Sequence, residues 1–189
     1  MIKREPTENR RRQIADAALK IIATQGVGRL TTAAIAHEVG ITEGAIFRHF
    51  GSKEEIVLEA IDRVEELLEQ DAPHETGLGP LEQLRQFIEH RVRVVHAHGG
   101  IPRLVFADEL SLAAGEAGVA KVQAIRRRAT STIRRCLEEA KRQGELAKDV
   151  DVDAATLVVL GSLMVLVHNR SSRAESGRVW ETLERVLRR

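Results

Sequence analysis

Residues 31–53, TTAAIAHEVGITEGAIFRHFGSK, constrain this chain more than any other stretch. They predict two short helices joined by a tight turn, with a further helix starting just after. Ala36 supplies a small side chain where the two helices touch, and Gly40 suits a turn that needs φ > 0. Ile46, on the second helix, reaches back into the core. The arrangement is a helix-turn-helix over about residues 31–50, which lays its second helix in the DNA major groove. Thr31 or Thr32 caps the first of these helices. Thr42 caps the next, expected to run to Phe50, and Ser52 with Glu55 forms a capping box for the helix that follows.

At about 100° per residue, Ile46 and Phe50 of the helix after Thr42 point inward. Gly44 and Arg48 then face outward, flanked by Ala45 and Phe47, while Glu43 and His49 lie nearer the core edge. Glycine inside a helix costs about 1 kcal/mol relative to alanine. Gly44 and Ala45 therefore make sense where backbone and Cβ approach base edges or thymine methyls. Arg48 has the reach for guanine O6/N7 or for a phosphate; the alternative is a solvated surface charge. Helix N-termini at Thr31, Thr32, Thr42 and Lys53 offer unpaired N–H groups and partial positive charge. Thr42, His49 and Lys53 are accordingly the candidate phosphate contacts. Phe47 has two readings, packing against neighbouring helices or contact with a sugar or thymine methyl.

Charge is uneven along the chain. Residues 1–53 hold nine Lys/Arg against five Asp/Glu, while the whole chain is only +1. A basic N-terminal end on a mildly acidic remainder suits one end that meets phosphate. Cys136 is the only cysteine, which excludes an intramolecular disulfide. The N-terminus lacks the apolar run of a signal peptide, and the longest apolar stretch, 154–167, falls short of the roughly 20 residues a bilayer demands. A soluble cytoplasmic protein with no membrane association is expected.

Strand signals are nearly absent and helical periodicity recurs throughout, so an all-α fold is expected. One helix spans about Thr7–Gln25, with Ile14, Ala18, Ile21 and Ile22 on one face. Another, after Ser52, carries Val57, Ile61, Val64 and Leu68. The linker-like DAPHETGLGP at 71–80 divides a head, 8–68, from a helical body, 72–189. Body helices are expected near 80–98, 101–111, 117–143, 153–170 and 176–188. In the third of these, Val122, Ile125, Ala129, Ile133, Cys136, Leu137 and Ala140 form one stripe, which makes Cys136 a core thiol.

The patterns RRRQIADAALKIIATQG, LTTAAIAHEVGI and TEGAIFRHFGSKEEI together resemble the TetR family of transcriptional regulators, from about Asn9 to Leu68. The resemblance implies an all-helical homodimer of nine or so helices. It also implies a DNA-binding head and a body that dimerises and binds a small ligand. Two positions depart from the family pattern: Phe47 stands where tyrosine is usual, and Glu43 where lysine or arginine is frequent.

Residues 153–171 are apolar nearly all round, so that helix is buried on several sides. One side is either a partner subunit or the chain's own core. The dimer candidates are Leu157, Leu160, Gly161 and Met164, with Trp180 and Leu183 of the last helix; together they would form a four-helix bundle across a two-fold axis. Candidate ligand contacts are Phe87, Val94, His98, Leu104, Phe106, Leu110 and His168, for a small apolar or amphipathic molecule. A metal site drawn from His96, His98, Asp108 and Glu109 is disfavoured, because His-x-His on a helix splits its two rings between faces. No cofactor and no metal are expected. No nucleophile elbow, phosphate loop or paired catalytic carboxylates occur, so no enzymatic activity is expected. The functional expectation is a sequence-specific transcriptional regulator on a palindromic double-stranded operator, a repressor released by a ligand. The alternative is a constitutive or architectural DNA-binding protein of the same fold.

Overall fold

Side-chain caps and helix-stopping residues set most of the helix boundaries in the computed structural model, which describes residues 7–70, 77–106, 110–169 and 171–188, with backbone only at 110–112. The fold is all-α. The described helices are α1 Thr7–Gln25, α2 Thr32–Val39, α3 Glu43–Ile46, α4 Lys53–Glu69 and α5 Pro80–Ala97. After them come α6 Gly100–Val105, α7 Leu110–Arg142, α8 Val152–His168 and α9 Arg173–Leu187. None of the described helices is long and apolar enough to cross a membrane. Most of the expected linker, 71–76, lies outside the described residues, as do Asp108 and Glu109.

Caps act where the sequence places them. Thr31 Oγ1 accepts the Ala34 N–H at 3.1 Å and Thr42 Oγ1 accepts the Ala45 N–H at 3.3 Å. Ser52 Oγ accepts the Glu55 N–H at 3.2 Å. The Glu55 carboxylate accepts from Gly51 N–H at 2.7 Å, so the box closes one residue early. Gly40 ends α2 at φ 75°, where a side chain would be strained. Helix α9 begins three residues before the sequence-based start, because Ser172 and Glu175 close a full capping box there.

The described residues fall into two compact units. One holds those of 1–68 and 98–124, and the other holds those of 69–97 and 125–189. In the first, α1 packs on α2 and α6, and α2 on α3. Its core includes Ile14, Ala18 and Ile22 of α1, Ile35, Ile46 and Phe50, and Ile56 and Ile61 of α4, all buried. The grouping of 98–124 with the head differs from a boundary near residue 70. Its physical reason is backbone contact: a Cβ on Gly100 would fall 2.2 Å from the Leu19 carbonyl oxygen, so only glycine lets α6 lie on α1. The helix expected from about residue 117 also begins earlier. Helix α7 starts at Leu110 and carries a single break at Gly115, φ 57° and ψ −163°.

In the second unit α5 packs on α8 and α9, and α8 on α9. Leu81, Leu84, Ile88, Val92 and Val95 form the sealed stripe of α5. In the α7 stripe every expected residue is buried except the half-buried Ala129. Cys136 lies in that stripe, and burial pushes its thiol pKa up, with Arg135 only partly opposing.

Candidate functional site

The helix after Thr42 is shorter than expected. Its α-helical part is Glu43–Ile46, and residues 47–49 tighten into a turn. Arg48 and His49 N–H groups donate three residues back, to Ala45 and Ile46 carbonyls at 3.3 and 2.8 Å. A last turn commonly tightens in this way, because its carbonyls have no further α-helical donor. The next helix also begins only a few residues later, at Lys53.

Ile46 and Phe50 anchor this segment in the core. Gly44, Phe47 and Arg48 are exposed, Ala45 and His49 half-buried, and Thr31, Thr42, Glu43 and Lys53 exposed. A Cβ at Gly44 would meet nothing closer than Thr42 Oγ1 at 4.0 Å, so no internal contact of the described chain demands glycine there. The Phe47 ring is 54 % exposed, hence outside the core of the head. The Arg48 side chain has no ion pair or hydrogen bond among the described residues.

Glu43, the acidic departure, has a structural partner. The half-buried Thr32 donates its hydroxyl to the Glu43 carboxylate at 2.8 Å, bridging the starts of α2 and α3. The carboxylate also sits in the first turn of α3, where negative charge is favourable.

Arg11 is the residue that sequence reasoning missed. From α1, its Nη1 donates to the His49 carbonyl at 2.5 Å and its Nη2 pairs with Glu59 of α4 at 2.5 Å. The guanidinium carbon lies 4.1 Å from the Phe50 ring centroid. One side chain thus ties α1, the turn after α3 and α4 together, and so fixes how Phe47 and Arg48 are presented. The only signal in sequence was the Arg10–Arg12 run beside an apolar stripe, which reads equally as solvated charge. Replacing Arg11 by Met is expected to lower unfolding free energy by about 1–3 kcal/mol, the scale of lost charged hydrogen bonds and ring stacking. Urea denaturation checks this, and an unchanged midpoint would contradict the role given to Arg11.

The body candidates scatter. Phe87 and Val94 are half-buried on α5, in the second unit, whereas His98, Leu104 and Phe106 belong to the first. Leu104 is fully buried in that unit's core, and His168 is exposed at the end of α8. The side chain of Leu110 lies outside the described residues.

Helix α8 is not buried on every side. Leu157, Gly161, Met164 and Val165, at i, i+4, i+7 and i+8, form an exposed stripe opposite the buried Val159 and Leu163, with Leu160 half-buried. Leu157 is 68 % exposed and Val186 of α9 is 66 % exposed. An open groove of about 230 Å³ beside them is lined by Ala155, Val158, Val159, Leu183 and Val186, among others. Trp180 departs from the expected dimer set: at 3 % exposed it belongs to the chain's own core and has little surface left for a partner.

Similarity to known proteins divides the chain between residues 60 and 77. The profile described as "Bacterial regulatory proteins, tetR family" matches residues 14–60, and that described as "Tetracyclin repressor-like, C-terminal domain" matches 77–168. The nucleoid occlusion factor SlmA of Vibrio campbellii (strain ATCC BAA-1116) is 41% identical over 61 residues, covering 32% of this chain and 31% of that protein. The HTH-type transcriptional regulator HbdR of Aromatoleum sp. (strain CIB) is 33% identical over 109 residues, covering 57% of this chain and 48% of that one. The matches therefore span less than half the length of these curated relatives, 31% of one and 48% of the other. Among solved structures, AibR in complex with isovaleryl coenzyme A and operator DNA superposes with a TM-score of 0.70 at 19% identity, covering 95% of this chain and 98% of that one; at that identity the likeness concerns the fold. With a head profile and a body profile matching in sequence order, this chain belongs to the TetR family of bacterial regulatory proteins.

Proposed function

We propose that this protein is a sequence-specific transcriptional regulator, a repressor that binds a palindromic double-stranded operator as a homodimer and is released by a small apolar or amphipathic ligand. The observation that carries this reading is the outward face of the α3 segment. Gly44, Phe47 and Arg48 are open to solvent, and packing among the described residues gives Gly44 no internal reason to be glycine. A helix-turn-helix offering a small, close-approach surface beside an unpaired arginine fits the major groove. Thr31, Thr42, His49 and Lys53 flank it as phosphate contacts, and Thr32 and Glu43 brace the two helix starts.

The exposed apolar stripe of α8 with Val186 supports a second copy as the partner, since monomers rarely leave such a stripe in water. Two heads related by a two-fold axis read half-sites about 34–36 Å apart or a multiple of that. AibR, of similar fold, is known with both a ligand and operator DNA, which supports ligand control in this chain. Ligand in the body would favour a dimer geometry that no longer fits both half-sites. Phe87 and Val94 on α5 are the candidate apolar lining.

Selection of bound sequences from random DNA at two salt concentrations tests this reading. The expected result is a palindrome with helical-turn spacing and a salt slope that counts phosphate contacts. Recovery of no symmetric sequence would reject it, and operator affinity unchanged by every bound ligand would favour the constitutive alternative. Replacing Arg48 by Ala is expected to relax preference at one base position by about 1–3 kcal/mol. If the loss is instead uniform across sequences, with a shallower salt slope, Arg48 contacts phosphate.

A further inference from the structure

Helix α5 carries two stripes. Leu81, Leu84, Ile88, Val92 and Val95 are sealed in the core. Beside them Phe87, Arg91 and Val94, at i, i+4 and i+7, are only half-buried. A guanidinium in the middle of an otherwise apolar stripe needs a partner, because a charge moved out of water without one is costly. Among the described residues Arg91 has no such partner. Its Nε is sealed from solvent and makes no hydrogen bond. No ion pair of Arg91 occurs among the described residues; Glu69, a carboxylate whose charge is felt there, is paired with Arg128 at 3.2 Å. Among the described residues the group that faces the guanidinium is the Phe87 ring, 4.9 Å from the guanidinium carbon. Burial accordingly pulls the Arg91 pKa down, against the weak pull of Glu69, yet a guanidinium stays charged at any physiological pH.

Building on the ligand-controlled reading above, we infer that Arg91 is the anion-recognising group of the body and that the effector is an amphipathic organic carboxylate. The planar fork of arginine matches a carboxylate with two parallel charge-assisted hydrogen bonds. The apolar flanks, Phe87 and Val94, suit an apolar tail attached to that head group. The same arrangement explains why an apolar side chain does not stand at position 91: it would pack better there, but could not hold an anion.

The test uses the full-length protein and five probes: butanoate, octanoate and dodecanoate, with octanamide and dodecanamide as neutral partners. Binding is read by thermal shift and by titration calorimetry. For the natural sequence the longer carboxylates are expected to bind about tenfold or more tightly than their amides, the scale of a charge-assisted hydrogen bond. In Arg91→Met that preference is expected to fall to within about twofold, while the Tm without ligand rises, because an unpaired half-buried charge has been removed. Arg91→Lys, which keeps the charge and the stem, is expected to retain part of the preference and serves if Arg91→Met does not fold. A merely structural role, with the guanidinium stacked on Phe87 and its tip in water, predicts the opposite: a lower Tm for Arg91→Met and no change in carboxylate preference. Either that pattern or a natural protein with no preference for any carboxylate over its amide overturns the assignment. Amides that bind and release operator equally from both forms would remove Arg91 from ligand recognition and leave the ligand-controlled regulator intact.

Discussion

Gly44→Leu is expected to weaken operator binding by about a hundredfold, the scale of 1–3 kcal/mol per disturbed base contact, while leaving the protein at least as stable as before. The two halves of this expectation come from the same observation. Among the described residues beyond its own helix backbone, a Cβ at position 44 meets nothing closer than Thr42 Oγ1 at 4.0 Å, so a side chain there costs the fold no clash. Exchanging glycine for a good helix former even recovers up to about 1 kcal/mol. On DNA, the same side chain would occupy the space through which the α3 backbone approaches the base edges. Gly44→Ala is expected to lie between the two, since a methyl group can be accommodated where an isobutyl group cannot. Thermal melts and operator titrations on the same samples check the separation. Undiminished operator affinity in Gly44→Leu would mean that this face does not enter the groove.

Leu157→Glu is expected to raise the dimer dissociation constant by about a thousandfold or more, because an unpaired carboxylate in a desolvated interface costs about 3–5 kcal/mol and symmetry introduces it twice. Leu157 is 68 % exposed in the single chain, so the substitution leaves the subunit's own core untouched. Sedimentation equilibrium should then show a folded monomer. Operator binding should fall with it, since each head alone engages only one half-site. A Leu157→Glu protein that still sediments as a dimer would move the interface away from the α8 stripe. Trp180, already 3 % exposed within one subunit, is the contrasting position. Trp180→Ala is a core deletion, and its cost would appear as lost subunit stability rather than as dissociation.

The sequence fixes much of the head by itself. Helix α1, Thr7–Gln25, and helix α2, Thr32–Val39, fall on the residues that periodicity and capping assign to them. Thr31, Thr42 and Ser52 act as caps, and Gly40 takes the left-handed turn. These features are decided within one or two helical turns, by hydrogen bonds between near neighbours and by which face is apolar, so a linear reading contains the information. Much the same holds for the buried stripe of α7 around Cys136.

Features that depend on residues far apart in the chain were not legible. The α3 helix stops at Ile46 rather than at Phe50, and Arg11, some forty residues earlier, holds the turn that replaces its last residues. Glu43 reads as an unfavourable charge near DNA until its hydrogen bond to Thr32 is seen. In the apolar run that forms α8, periodicity marks no polar side. Packing by α5 and α9 buries Val159 and Leu163 and leaves Leu157 and Val165 outside, while closing over Trp180. Arg91 is one charge among many in sequence, and only the tertiary structure seals its Nε from solvent without a hydrogen bond among the described residues. Local hydrogen bonding and amphipathic period thus determined the helices and the small outward face that would meet DNA. Which charges are paired, and which apolar surface stays uncovered, was settled by contacts between segments distant in sequence, whose geometry no local pattern encodes.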